Sequence, residues 1–306
     1  MRRDKRYLRP GTFAEVIRQY RASAKFQGLA LESRRHWGYL LNIAELPECL
    51  GAYSSEEIRP ALVQAWLDGF ADRPAQQRSA RSALKAVERF AVVRDLLPWP
   101  ITTGTEASGG TGGHKPWTDE QVELAELHVS PPLGRVITLA SNTGQRCSDI
   151  VKMRWSDLEP QDGRMGINVV QKKTGVALWI PFTQRLADVV ATWERRPTVL
   201  ALKKDGKPWT AHQASSAWLY ERDRKPALGP LKADGLVLHG LRATAVVRLR
   251  RAGATTGQIH DMVGMSEQMV NRYCRLSAQR ENALAAVHHL DAHRPPPNPL
   301  KSRDLR

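Results

Sequence analysis

One stretch limits this chain more than any other: residues 101–116, ITTGTEASGGTGGHKP, which carry Gly104, Gly109, Gly110, Gly112 and Gly113. A segment so polar and glycine-rich buries too little apolar surface to fold alone, so it is expected to act as a flexible linker. Fully extended, its 16 residues reach about 50 Å. The linker divides a chain of 306 residues, a length suited to about two domains. Hydrophobic residues make up 42%, enough for two cores. The expected organisation is a helical domain over 1–100, the linker 101–116, a second domain over 117–290, and a disordered, basic, Pro-rich tail over 291–306.

Before the linker the apolar period is helical. Helices are expected over 12–27 and 31–46. Ser54 and Glu57 have the spacing of a capping box, opening a third helix to about Phe70. The fourth, over 74–96, places Ala80, Leu84, Val87 and Ala91 on one face. Arg78, Arg81, Lys85 and Arg89 recur three or four residues apart on another. A merely solvated face usually mixes signs. Here only Glu88 interrupts the row, which favours contact with phosphates.

After the linker, Thr118 and Gln121 repeat the capping-box spacing, and helices are expected over 118–129, 132–143 and 146–154. The period then changes to two. Met165, Ile167 and Val169 alternate, as do Val176, Leu178, Ile180 and Phe182, with Lys172-Lys173-Thr174-Gly175 between them. That pattern predicts a β-hairpin with lysines at its tip, and Pro181 confines the second strand to an edge or to its end. Helices follow over about 183–195, 212–223, 239–252, 256–263, 266–277 and 279–290. The fold class is therefore mainly α, with one small antiparallel sheet in the second domain.

Bulk chemistry narrows the partners. Lys and Arg number 46 against 31 Asp and Glu, a net charge of +15, which points to a polyanion. No apolar run is long enough to span a bilayer. The basic start, Met1-Arg-Arg-Asp-Lys-Arg, has no apolar segment after it. Cys49, Cys147 and Cys274 are few, odd in number and far apart. They suit a reducing compartment rather than a disulfide scaffold. A cytoplasmic location without membrane contact is expected.

Four segments carry groups suited to phosphate chemistry: Thr143-Gly144-Gln145-Arg146-Cys147-Ser148-Asp149, Gln171-Lys172-Lys173-Thr174-Gly175, His239-Gly240-Leu241-Arg242 and Asn271-Arg272-Tyr273-Cys274-Arg275. Cutting a phosphodiester requires a nucleophile, fixed cations for the non-bridging oxygens, and an acid for the leaving oxygen. Arginine suits the second task because its planar fork stays charged. Lysine suits the third because its pKa shifts readily. Singly, each residue has an ordinary explanation. Arg146 can pair with Asp149 on the surface, Lys173 can be a solvated turn lysine, His239 and Arg242 can be an exposed pair, and Tyr273 can be a core residue beside Met269 and Val270.

Together, and in this order, the four segments resemble the tyrosine recombinase or phage integrase family, which carries T-G-x-R-x-x-E/D, a hairpin lysine, H-x-x-R and a late tyrosine. The resemblance covers the second domain in detail and the helical first domain less specifically. It implies a core-type DNA-binding domain followed by a mixed α+β catalytic domain. It also implies site-specific recombination. Tyr273 would attack the scissile phosphate and form a 3′-phosphotyrosine. Arg146 and Arg242 would clamp the non-bridging oxygens. Lys173, or less favourably Lys172, would protonate the leaving 5′-oxygen. His239 would assist proton transfer, and Asp149 would buttress the cluster by fixing Arg146 or His239. Neither metal nor other cofactor would be needed. Double-stranded DNA would be the partner, bound by a homotetramer on two sites. The helix over 279–290, with Leu284, Val287 and Leu290, would dock into a neighbouring protomer.

At one place the family pattern breaks. Where relatives carry a His or Trp in a segment like L-G-H-S, this chain reads Val263-Gly264-Met265-Ser266. The Met265 thioether cannot donate a hydrogen bond. Two other readings stay open on sequence alone. Residues 253–275 look like the helix-turn-helix of a non-enzymatic regulator, and a type IB topoisomerase uses the same chemistry.

Overall fold

The computed structural model describes residues 10–109, 114–196, 198–277 and 279–293. The chain separates into two compact units, Met1–Gly112 and Gly113–Arg306. The basic start and the Pro-rich end from 294 onward lie outside the described residues.

The first unit is helical: α1 (Phe13–Ala22), α2 (Ala24–Gln27), α3 (Leu31–Ala44), α4 (Pro60–Asp68) and α5 (Pro74–Val92). Phe13, Ile17, Tyr20, Leu40, Leu41, Leu67, Leu84 and Val87 fill its core. The expected helix over 12–27 is broken at Ser23. The Ser23 hydroxyl accepts from Phe26 N and donates to Tyr20 O, capping α2 and closing α1. The capping-box spacing at Ser54 forms only in part. Glu57 accepts from Ser54 N at 2.8 Å, but these residues make a turn, and α4 starts later, at Pro60. Proline's fixed φ suits the first helical position, and it holds the residue before it, Arg59, extended.

The flexible-linker expectation needs correction for residues 101–109. Ile101 is buried, and the polar face of α5 satisfies the backbone that follows it. Glu88 is buried and accepts from Thr102 N and Oγ1. Arg81 Nε donates to Thr105 Oγ1. Gln77 Oε1 accepts from Ser108 N and Oγ. Arg78 donates to the carbonyls of Ser108 and Gly109. Low hydrophobicity argued for a free segment, but hydrogen bonds to a neighbouring helix order it instead.

The second unit runs α6 (Asp119–His128), α7 (Pro131–Thr143), α8 (Cys147–Ile150), β1 (Leu158–Gln161), β2 (Arg164–Val170), β3 (Ala177–Pro181), α9 (Gln184–Ala191), α10 (Ala211–Arg224), α11 (Gly229–Ala233), α12 (Gly240–Arg251), α13 (Thr256–Val263), α14 (Glu267–Ser277) and α15 (Gln279–Ala292). The three strands form one antiparallel sheet in the order β1-β2-β3. Ile167 of β2 faces Leu158 on one side and Ile180 on the other. The hairpin lies where alternation placed it, with Pro181 at the strand end. β1 is an addition. Its sequence, LEPQ, has no alternation, but Asp162 and Gly163 both take positive φ, 49° and 73°, in the tight turn into β2. The helix expected over 146–154 is only the single turn of α8. Arg154 is extended and its N–H donates to Asp157.

Trp117, Leu133, Val136, Ile167, Ile180, Trp218 and Leu241 belong to the main core of this unit. A separate cluster joins α12, α13 and α14 through Ala243, Val246, Ile259, Val263, Met265, Val270 and Tyr273. Among the described residues no helix is long and apolar enough to cross a membrane.

Candidate active site

Arg242 lies in the first turn of α12 and is only 2% exposed. A guanidinium so placed needs fixed acceptors, and two helix ends supply them. Nη1 donates to Gly144 O at 2.6 Å and to Val263 O at 3.2 Å, and Nη2 donates to Gly264 O at 3.3 Å. Gly144 caps α7 and Gly264 caps α13, both left-handed, with φ of 64° and 63°. These caps turn backbone carbonyls towards Arg242, where the negative ends of two helix dipoles favour a cation. Loss of hydration and the nearby Arg146 charge pull the Arg242 pKa down to about 10, while Tyr273 and Asp149 act in the opposite direction. The side chain stays charged at neutral pH.

Arg146 occupies the N-cap position of α8 and donates through Nη1 to Gln171 Oε1 at 3.0 Å. Gln171, fully buried, follows β2 directly. Beyond it Lys172 and Lys173 stand exposed in the hairpin turn, which Gly175 completes with φ of 71°. Asp149 is 4% exposed, and its Oδ1 accepts from the Lys172 backbone N–H at 3.0 Å. Asp149 therefore fixes the base of the lysine hairpin. Its carboxylate bonds to neither Arg146 nor His239, contrary to the expectation from the family pattern.

His239 sits at the start of α12, on the exposed rim of the site. Its ring meets His114 edge to face with centroids 4.7 Å apart. Loss of hydration around the ring lowers its pKa to about 4, and His114, Arg242, Arg146 and Lys173 push the same way. His239 is thus neutral at physiological pH. Tyr273, on α14, is 7% exposed and packs in the cluster that joins α12, α13 and α14. It is near enough for its charge to act on Arg242. Met265 is buried in that same cluster and packs rather than donates.

Arg146, Lys173, His239, Arg242 and Tyr273 thus come together from four separate stretches of chain. Arg78, Arg81, Lys85 and Arg89 lie on α5 in the first unit. Lys85 and Arg89 are exposed, whereas Arg78 and Arg81 are engaged by residues 105–109. Sequence reasoning missed Gln145, Gln171 and His114. All three stand inside quoted segments but were given no role, because the partners that matter lie far along the chain. Two guanidiniums and a neutral imidazole at one place can stabilise a phosphorane-like charge, and a neighbouring phenol is a group that can serve as a nucleophile.

Residues 130–280 match the model of the phage integrase family. That stretch, about half of the chain, belongs to the phage integrase family. Its relatives include the integrase of Enterobacteria phage 434, 29% identical over 150 residues, which covers 47% of this chain and 41% of that protein. The integrase of Escherichia phage lambda is 29% identical over 148 residues, or 47% of this chain and 40% of the relative. The chain therefore spans about two-fifths of the length of these phage relatives. Among solved structures, a lambda integrase tetramer bound to a Holliday junction matches with a TM-score of 0.69 at 20% identity, over 86% of this chain and 77% of that one. The Tn1549 transposon integrase in complex with circular intermediate DNA matches with a TM-score of 0.68 at 16% identity, over 86% and 94%. At such identities the likeness establishes the integrase fold, mainly helical with a small sheet. The matches favour neither a helix-turn-helix regulator nor a topoisomerase. The α13–Gly264–α14 segment that resembled a recognition motif instead presents Tyr273 towards Arg242.

Proposed function

We propose that this integrase is a site-specific DNA recombinase that cuts and rejoins strands through Tyr273, without metal or ATP. One observation carries the reading: the Arg146 and Arg242 guanidiniums are tied to one hydrogen-bonded node, Gln171 and Val263 O, at the base of the lysine turn, with His239 and Tyr273 close enough to interact electrostatically with Arg242. A single phosphate can therefore meet every group that the reaction needs. The Tyr273 oxygen attacks phosphorus, with its proton passing to solvent or to neutral His239. Arg146 and Arg242 hold the non-bridging oxygens. The P–O5′ bond breaks as Lys173 gives its proton to the leaving oxygen, leaving a 3′-phosphotyrosine and a free 5′-hydroxyl. The bond energy is kept in the ester, so a 5′-hydroxyl can reverse the step.

The relatives named integrase, and the solved integrases bound to DNA or to a Holliday junction, support DNA as the partner and a tetramer on two sites as the working assembly. The first unit is assigned to DNA backbone contact through the α5 cations. Leu284, Val287 and Leu290, exposed on α15, are assigned to docking in a neighbouring protomer. The test is covalent capture. Nicked duplexes from a random-sequence pool are incubated with the chain and stopped in SDS. An SDS-stable adduct with a free 5′-hydroxyl is expected, and Tyr273→Phe should abolish it. A variant that still forms the adduct, or a wild-type chain that forms none, overturns the reading.

A further inference from the structure

The amide of Gln171 has every hydrogen-bonding position filled. Oε1 accepts from Arg146 Nη1 at 3.0 Å and from Thr174 Oγ1 at 2.8 Å. Nε2 donates to Gln145 Oε1 and to Val263 O, each at 2.8 Å. An amide offers two acceptor lone pairs and two N–H donors, so the set is complete. Val263 O also receives Arg242 Nη1 and Gln145 Nε2, both at 3.2 Å. One buried node thereby ties together the loop bearing Arg146, the turn bearing Lys173, the acceptor of Arg242 and the end of α13, which leads into the helix bearing Tyr273.

A core position needing only volume would be filled by an apolar side chain. A buried amide is costly unless fully bonded, and here the bonds run to functional groups. Among the described residues, the hydrogen bond drawn from the Arg146 fork goes to Gln171. The fold also leaves room for the amide. A Cβ on Gly264 would lie 2.6 Å from Gln171 Nε2, so the glycine cap and the glutamine occupy complementary space.

We infer that Gln171 is a positioning residue, which aims the Arg146 guanidinium at the non-bridging oxygens and holds the lysine turn in register with it. The inference rests on the recombinase reading above. Loss of such an outer partner should slow cleavage by roughly 10–100-fold, by analogy with the range for removing a group that orients a metal ligand.

The test compares Gln171→Met with wild type on two nicked duplexes selected by covalent capture. One carries the normal scissile phosphodiester. The other carries a methylphosphonate there, whose methyl group replaces a charged oxygen and so reduces the need for an aimed guanidinium. The variant should be slow on the phosphodiester and close to wild type on the methylphosphonate, with Arg146→Ala showing the same contrast. Equal loss on both substrates, or no loss on either, overturns the inference. If Gln171→Met does not fold, the exposed Thr174→Val removes one bond to the same oxygen without opening the core. It should show a smaller loss with the same substrate contrast, and equal loss on both substrates again overturns the inference. A wild-type chain that captures no duplex defeats the recombinase reading, and the role of Gln171 with it. A wild-type chain that reacts while the variants show no contrast defeats this inference alone.

Discussion

His239 is the residue whose surroundings make the clearest statement about pH. Its pKa lies near 4 in the folded chain, against an ordinary value of 6.5. The unfolded chain therefore takes up this proton at higher pH than the folded one. The contribution to stability is whole above pH 6.5 and is lost as pH falls through about 4. His239→Gln should flatten that part of the stability curve, read as urea midpoints between pH 4 and 7.5. A variant that keeps the wild-type slope would mean that another group sets it. At this scale the functional residues divide by how local their signals are. Arg146, His239, Arg242 and the hairpin lysines stand in short contiguous motifs, which can be read by eye. Gln171 is invisible that way, because its partners lie 25, 26 and 92 residues distant, and only Thr174 is near. Asp149 was legible as a member of the site but not in its contact, since nothing local shows that its carboxylate reaches the backbone of Lys172.

Among the elements, the glycine caps of α7 and α13 are what let two helix ends serve one guanidinium. Gly264→Ala pays twice, once for left-handed backbone, at about 1–2 kcal/mol, and once for the close approach of Gln171 and Leu178. Gly235 has a matching φ of 64° with nothing within 4 Å of a would-be Cβ, so Gly235→Ala bears the backbone cost alone. Chemical denaturation should find Gly264→Ala the less stable of the two, with cleavage impaired as well. Equal destabilisation would mean that the crowding at Gly264 is relieved by small shifts. Elements with a strong period were legible: α7, α12, α13 and the β2–β3 hairpin fall where apolar spacing put them. β1 escaped because four residues without alternation carry no strand signal, although the Asp162-Gly163 turn marked its end. The segment over 101–109 escaped for a different reason. Composition measures whether a stretch can build its own core, not whether a neighbouring helix supplies its hydrogen bonds.

For the molecule as a whole, a net charge of +15 is the widest-ranging property. Binding to a fluorescent duplex of arbitrary sequence should weaken linearly in log salt, as counterions are released. Lys85→Ala and Arg89→Ala should each reduce the slope by about 1. Arg78→Ala and Arg81→Ala should also destabilise the first unit, because their guanidiniums hold residues 105–109. Slopes unchanged in Lys85→Ala and Arg89→Ala would remove α5 from the DNA-binding surface.

The central claim is that a phenolic oxygen on α14 reaches the phosphorus held by Arg146 and Arg242. Mass spectrometry of the SDS-stable adduct, after protease and nuclease digestion, tests it most directly. The account predicts one modified peptide, carrying a nucleotide 3′-phosphate on Tyr273. The same nucleotide on any other side chain, or adducts scattered over several, would contradict it.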